Sequence, residues 1–221
     1  MTEPPQDLIH EGVRFFGEIS ASISHELKNV LAIINENAGL LADIVDLSTK
    51  GMPIAPQRLA RLAQSIAGQV SRGDRIVKDM NRFAHSADLP RETVDVGDVI
   101  HFICEVASRL IKKKGELPRI DTPAVPIMVQ TNRFFLENLV WACLNHSLDA
   151  QTPDREMAVE VKKSHNGARI RFRGLSTDAA STVHPFPSPR EKTVAGLLNA
   201  RLMTDRQHGE IVIILDRNAI I

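Results

Sequence analysis

Within the segment Ser24-His25-Glu26-Leu27-Lys28-Asn29, an imidazole, a carboxylate and a carboxamide stand within six residues. A neutral imidazole is a good nucleophile through one ring nitrogen when an acceptor holds the other protonated. Glu26 can be that acceptor, fixing the tautomer and acting as general base. Asn29 exchanges no proton at neutral pH, but its amide can hydrogen-bond a water or a phosphoryl oxygen, which suits positioning. On a helix, residues four apart stack on one face, so Asn29 falls one turn below His25. Glu26 projects roughly 100° around the axis from His25, within reach of its ring from the side. Such a set suits phosphoryl chemistry. By themselves the same residues also describe a solvated histidine on an exposed helix.

The element that must carry them is a long helix. From about Leu8 to Leu47 the apolar residues fall in a heptad rhythm. One column reads Val13, Ser20, Leu27, Ile34, Leu41 and Ser48; the other reads Ile9, Phe16, Ile23, Val30, Asn37 and Ile44. Nine of these twelve positions are apolar, the mark of a coiled-coil-like seam. His25 and Asn29 fall on its outward side. Asn37 sits at a seam position, where it sets register or, with the phase moved by one residue, faces outward. Lys50-Gly51-Met52-Pro53-Ile54-Ala55-Pro56 stops the pattern. A second helix follows from about Gln57 to His85, with a stripe of Leu59, Leu62, Ala63, Ile66, Val70, Val77, Met80 and Phe83. Two such helices make an antiparallel hairpin whose seam is covered on one side only, so the expected solution is a homodimeric four-helix bundle.

Near Leu89-Pro90 the texture changes. Strands are expected at Glu92 to Val96, around Ile120 and from Pro126 to Val129, with an amphipathic helix from Val99 to Lys113. Asn132 to Ala150 is a strongly apolar helix. Met157 to Lys163 and Ala168 to Arg173 form a hairpin across Asn166-Gly167. Leu175 to Arg190 reads as a loop, Glu191 to Thr204 as a helix and Glu210 to Leu215 as a strand. The fold class is therefore α + α/β: residues 1–89 form a helical hairpin and residues 90–221 an α/β sandwich on a mixed sheet.

Composition excludes several roles. The 27 basic and 27 acidic residues cancel, giving no electrostatic ground for nucleic acid or an anionic membrane as partner. No run approaches a membrane span, and the acidic N-terminus is unlike a secretory signal, so a cytoplasmic protein is expected. Cys104 and Cys143 lie in apolar helical patterns and read as buried thiols. The other histidines are scattered without ligand spacing, so no metal site is expected. Lys112-Lys113-Lys114 closes a helix, where cations offset the dipole.

The segment from Ser22 to Ile34, Ser-Ile-Ser-His-Glu-Leu-Lys-Asn-Val-Leu-Ala-Ile-Ile, closely resembles the H-box of sensor histidine kinases. The resemblance implies that His25 is the phosphoacceptor and Glu26 its acid/base partner. It further implies that Asn29 is the residue used when such proteins dephosphorylate a response regulator. It extends over nearly the whole chain, because the α/β half looks like the ATP-binding domain that these kinases share with gyrase and Hsp90. The nucleotide signatures are degraded there. Aligning Leu148-Asp149-Ala150 with the end of the family's N-box puts Ala142 and His146 at the two asparagine positions, with Asn145 one place off. The Asp-x-Gly-x-Gly order is absent from Gly174-Leu175-Ser176-Thr177-Asp178-Ala179. His184-Pro185-Phe186-Pro187 resembles the F-box. In Ala195-Gly196-Leu197-Leu198-Asn199-Ala200, at most Gly196 remains of three glycines. Phosphate cradling needs open backbone N–H groups, and magnesium needs oxygen ligands. ATP and magnesium binding are therefore expected to be lost, leaving no cofactor.

These features imply a histidine phosphotransferase or response-regulator phosphatase that relays a phosphoryl group between receiver aspartates and His25. Receiver domains would dock along Lys28, Asn29, Ala32, Ile33, Glu36 and Gly39, one to three turns below His25. The alternatives are a non-catalytic module that binds and inhibits a histidine kinase or response regulator, and an active kinase with a divergent nucleotide pocket.

Overall fold

A computed structural model describes residues 6–152, 155–177 and 185–216. The chain forms two compact units, Ser20–Arg82 and a second made of Met1–Ile19 with Phe83–Ile221.

The first unit is the body of the hairpin formed by α1 (Gln6–Thr49) and α2 (Pro56–His85). The turn closes through Gly51 N donating to Ser48 O at 3.0 Å and Met52 N to Leu47 O at 3.1 Å. Gly51 has φ +84°, a conformation that only glycine adopts without strain. Pro56 at the first helical position starts α2 without losing a helical hydrogen bond. Inside the hairpin the column Ile23, Val30, Asn37, Ile44 faces α2 as its spacing predicts. Ile23, Val30 and Ile44 are buried. Asn37 Nδ2 donates to Ser65 Oγ at 3.2 Å and to Ile33 O at 2.7 Å. Val30 lies against Gly73. A second set stays exposed: Leu31, Leu41 and Val45 on α1, and Val70, Val77 and Met80 on α2.

At the base of the hairpin the heptad reading is off by one residue. Leu8, Phe15 and Ile19 are buried, while Ile9, Val13 and Phe16 are 53%, 66% and 40% exposed. The reason is tertiary: these first turns of α1 pack within the second unit against α5 (Arg133–Asp149), which draws a different stripe inward. Phe15 meets Phe83 edge-on and Phe134 at a tilt, both with centroids 5.4 Å apart. Trp141 Nε1 donates to Glu18 Oε2 at 3.2 Å.

The rest of the second unit is an α/β sandwich. Its elements are β1 (Glu92–Asp95), α3 (Val96–Val106), α4 (Ser108–Lys114), β2 (Arg119–Asp121), β3 (Met128–Thr131), α5, β4 (Ala158–Ser164), β5 (Gly167–Arg173), α6 (Pro189–Leu197), β6 (Arg201–Asp205) and β7 (Glu210–Asp216). Five strands run in the order β2-β4-β5-β7-β6, with β2 and β4 parallel and the other pairs antiparallel, and β1 and β3 form a separate antiparallel pair. The sheet is mixed, as expected. Alternate residues Val159, Val161, Ile170, Phe172, Ile211 and Ile213 are buried in the core with Val99, Ile103, Leu136, Leu139 and Leu144 of α3 and α5.

Four local expectations change. The helix expected over Val99 to Lys113 breaks at Ala107 into α3 and α4, and it begins earlier because Asp95 caps it by accepting from Gly97 N. The β4–β5 turn centres on His165 and Asn166, since Ser164 pairs with Gly167. β3 starts two residues later than its pattern suggests, at Met128, pairing with Asp95. The helix expected to run to Thr204 stops at Leu197. Asn199 turns to φ 46°, and Arg201–Asp205 pairs along β7 as an edge strand. Edge burial blurs its alternation, so the sequence pattern there looked helical.

Candidate functional site

α1 runs unbroken through His25, so the helical geometry that the spacing assumed is present. His25, Lys28, Asn29, Ala32, Glu36 and Gly39 are exposed along one strip, and Ile33 at its edge is half-buried. Neither His25 nor Asn29 makes a side-chain hydrogen bond among the described residues, leaving the imidazole nitrogens open to a reacting group. Glu26 is half-buried, with Arg72 Nη2 of α2 3.7 Å from its Oε2. The structure thus places His25, Lys28, Asn29, Ala32, Glu36 and Gly39 exposed on the one helix α1, while Glu26 is turned toward Arg72 of α2. It adds Arg72, which sequence reasoning missed because interhelical register is not written in either helix alone.

The α/β domain tells a different story at its nucleotide-type positions. Asn132 accepts from Phe135 N at 2.9 Å and starts α5 as an N-cap. Ala142 and His146 lie one turn apart on this helix. The His146 ring stacks on Phe186, centroids 4.3 Å apart and planes 14° from parallel. Asn145 gives no rescue by a shift of one residue, because its Oδ1 accepts from Lys114 Nζ at 2.7 Å while the same ammonium pairs with Asp149. α6 begins with a complete capping box between Ser188 and Glu191. Arg190 of α6 pairs with Glu11 of α1, Nε to Oε2 at 2.5 Å. Gly196 sits inside α6 with open space where a Cβ would go, so no close backbone approach requires glycine there. By contrast, Gly209, in the entry to the last strand, has φ +65°, and a Cβ on it would meet Leu175 O at 2.4 Å. Asp178, Ala179 and His184 lie outside the described residues. The donors that are present, an aromatic-stacked imidazole, a methyl group and a carboxamide held by lysine, do not fit a magnesium–phosphate site.

Both cysteines are buried as expected. Burial pushes the Cys104 thiol up to about 12, and burial followed by the nearby Glu191 charge raises that of Cys143 well above the ordinary thiol range. Both are therefore neutral and poor nucleophiles. No helix among the described residues is long and apolar enough to cross a membrane.

Two long helices are followed by an α/β sandwich, and through the relative that it matches at 30% identity the chain belongs to the sensor histidine kinase family. No family model matches the chain. Over 182 residues, 77% of its length, it is 30% identical to the C4-dicarboxylate transport sensor protein DctB of Pseudomonas aeruginosa, and it spans 28% of that protein's length. Among solved structures it is similar to histidine kinase ThkA in complex with response regulator protein TrrA, with a TM-score of 0.48, 14% identity and coverage of 95% of this chain and 64% of that one. It is also similar to a bacterial phosphotransferase, with a TM-score of 0.42, 14% identity and coverage of 96% and 97%.

Proposed function

We propose that this chain is a histidine phosphotransferase or response-regulator phosphatase of two-component signalling, acting on receiver domains without ATP. The observation that carries the reading is a contrast within one chain. His25 stands open on its helix, while the α5 position of a magnesium-binding asparagine is a histidine stacked under Phe186. In the relay direction, the acyl-phosphate P–O bond of a receiver phosphoaspartate breaks and the electron pair leaves with the aspartate. A P–N bond forms at one nitrogen of His25, and Glu26 accepts the proton of the other. In the phosphatase direction, Asn29 orients a water for attack on the same phosphorus. The strip Lys28, Asn29, Ala32, Ile33, Glu36 and Gly39 receives the receiver in either case. The exposed apolar stripes of α1 and α2 support a homodimeric bundle. A relay between receivers belongs in the cytoplasm.

The test is incubation of the purified protein with radiolabelled phospho-receiver domains and no ATP, with His25→Ala alongside. Acid-labile, base-stable label on wild type and none on the variant establishes the relay. No label but faster loss of receiver phosphate makes the protein a phosphatase and moves the weight to Asn29. Neither effect across a panel of native receivers rejects both activities and favours a non-catalytic module that binds a kinase or regulator.

A further inference from the structure

We propose that Lys28 is a catalytic residue of phosphoryl transfer at His25, its ammonium meeting the phosphoryl oxygens; the inference rests on the phosphoacceptor reading of His25. Across residues 15–49 of α1, Lys28 is the only lysine or arginine, against the five carboxylates Glu18, Glu26, Glu36, Asp43 and Asp46. A phosphoryl group brings about two negative charges onto that acidic helix. Lys28 stands three residues beyond His25, and side chains at that spacing are neighbours, with Cβ atoms about 5–6 Å apart. The Cα–Cβ bonds of an α-helix tilt toward its N-terminus, so a side chain covers the turn that precedes it. The turn that precedes Lys28 is the one that carries His25.

Lys28 is exposed and makes no ion pair or side-chain hydrogen bond among the described residues. The cations of α2 at this end of the hairpin are engaged. Val30 against Gly73 and Asn37 bonded to Ser65 set a register that puts Arg75, Lys78 and Arg82 within about one turn of the level of His25. Lys78 Nζ pairs with Asp74 Oδ2 at 2.8 Å, Arg75 and Arg82 lie in the field of Asp79, and Arg72 faces Glu26. Lys28 keeps its charge for an incoming anion. Lysine suits that task, because it meets phosphate as a compact point charge on a flexible stem. The role differs from docking. A docking lysine holds the receiver and is silent when none is present, whereas a lysine on the phosphoryl group acts on any donor.

The probe is radiolabelled phosphoramidate, a small donor that needs no receiver, applied to the full chain. The lone pair of the unprotonated ring nitrogen of His25 attacks phosphorus and forms a new P–N bond. The donor's own P–N bond breaks, ammonia leaves with the electron pair, and it takes up the proton that the phosphorylated ring sheds. Lys28→Gln is expected to lower the second-order labelling rate constant roughly three- to tenfold, the size of an exposed charge interaction at this range. Lys28→Arg keeps the charge and should keep most of the rate. Raising the salt from about 20 mM to about 500 mM should slow wild type toward Lys28→Gln and leave Lys28→Gln nearly unchanged, because the charge is screened. An exposed helix position tolerates both substitutions, and unchanged thermal melting confirms that each variant is folded. The salt series on wild type carries the test if Lys28→Gln is not. Lys28→Gln that labels at the wild-type rate yet takes less label from phospho-receivers makes Lys28 a docking residue only and overturns the proposal. So does Lys28→Arg as slow as Lys28→Gln, or a wild-type rate that salt leaves unchanged; His25 remains the acceptor in each case. Wild type that takes no label, or His25→Ala that labels equally, overturns the acceptor reading itself and this inference with it.

Discussion

Phe186 stacks on His146, at the α5 position where the family resemblance puts a magnesium-binding asparagine. Millimolar magnesium-ATP is accordingly expected to leave the melting temperature unchanged. A ligand at a hundred times its Kd would stabilise by about 2.7 kcal/mol, a shift readily seen in a thermal scan. A second prediction concerns Glu137, fully buried on α5, whose Oε1 accepts from Arg133 Nε at 2.8 Å. Arg133→Met removes this charged partner of the buried carboxylate and should cost about 3–5 kcal/mol by urea unfolding. A third concerns Glu160 on β4. Its hydrogen bond with Lys162, and then the charges of Lys162 and Arg171, hold the carboxyl below its ordinary value of 4.5. A depressed carboxylate contributes stability that is complete above the unfolded value and is lost as pH falls through the folded one. Glu160→Gln should therefore flatten the decline in stability below about pH 4.5, read by urea unfolding across a pH series.

At the scale of elements, the base of the hairpin and α5 make one core. Phe15, Phe83 and Trp141 are each at most 2% exposed, and Gly12 packs so closely that a Cβ there would lie 3.3 Å from the Phe134 ring. Truncating Phe15 or Phe83 to Ala should cost about 3–5 kcal/mol by urea unfolding, and the loss should appear in the α/β signal and not only in helix content. This packing also explains the slipped heptad. The pattern that places Ile23, Val30 and Ile44 inside the hairpin holds only where α2 is the partner, and it yields where α5 takes over.

For the whole molecule, Leu31, Leu41, Val45, Val70, Val77 and Met80 of the hairpin are exposed apolar side chains. A homodimer is the expected assembly. Leu31→Glu combined with Val70→Glu should give a monomer by sedimentation velocity, and phosphoryl transfer should fall with it if the receiver needs the intact bundle. A monomeric wild type at micromolar concentration would remove the dimer from the reading.

The sequence alone determined the long helix, the exposed His25 with Asn29 one turn along, the mixed sheet and the degraded nucleotide signatures, while the side on which Asn37 falls was settled by its bond to Ser65. All but the last follow from local period and residue chemistry, which a single chain segment carries. Tertiary structure decided the rest. Arg72 meets Glu26 through the register of two helices, and Phe186 stacks on His146 of α5. Arg201–Asp205 becomes a strand because β7 offers an edge. Phe15 is buried in place of Phe16 because α5 supplies the neighbouring surface. In each case the deciding partner lies far away in sequence, so the free energy that fixes the residue is not present in its own segment.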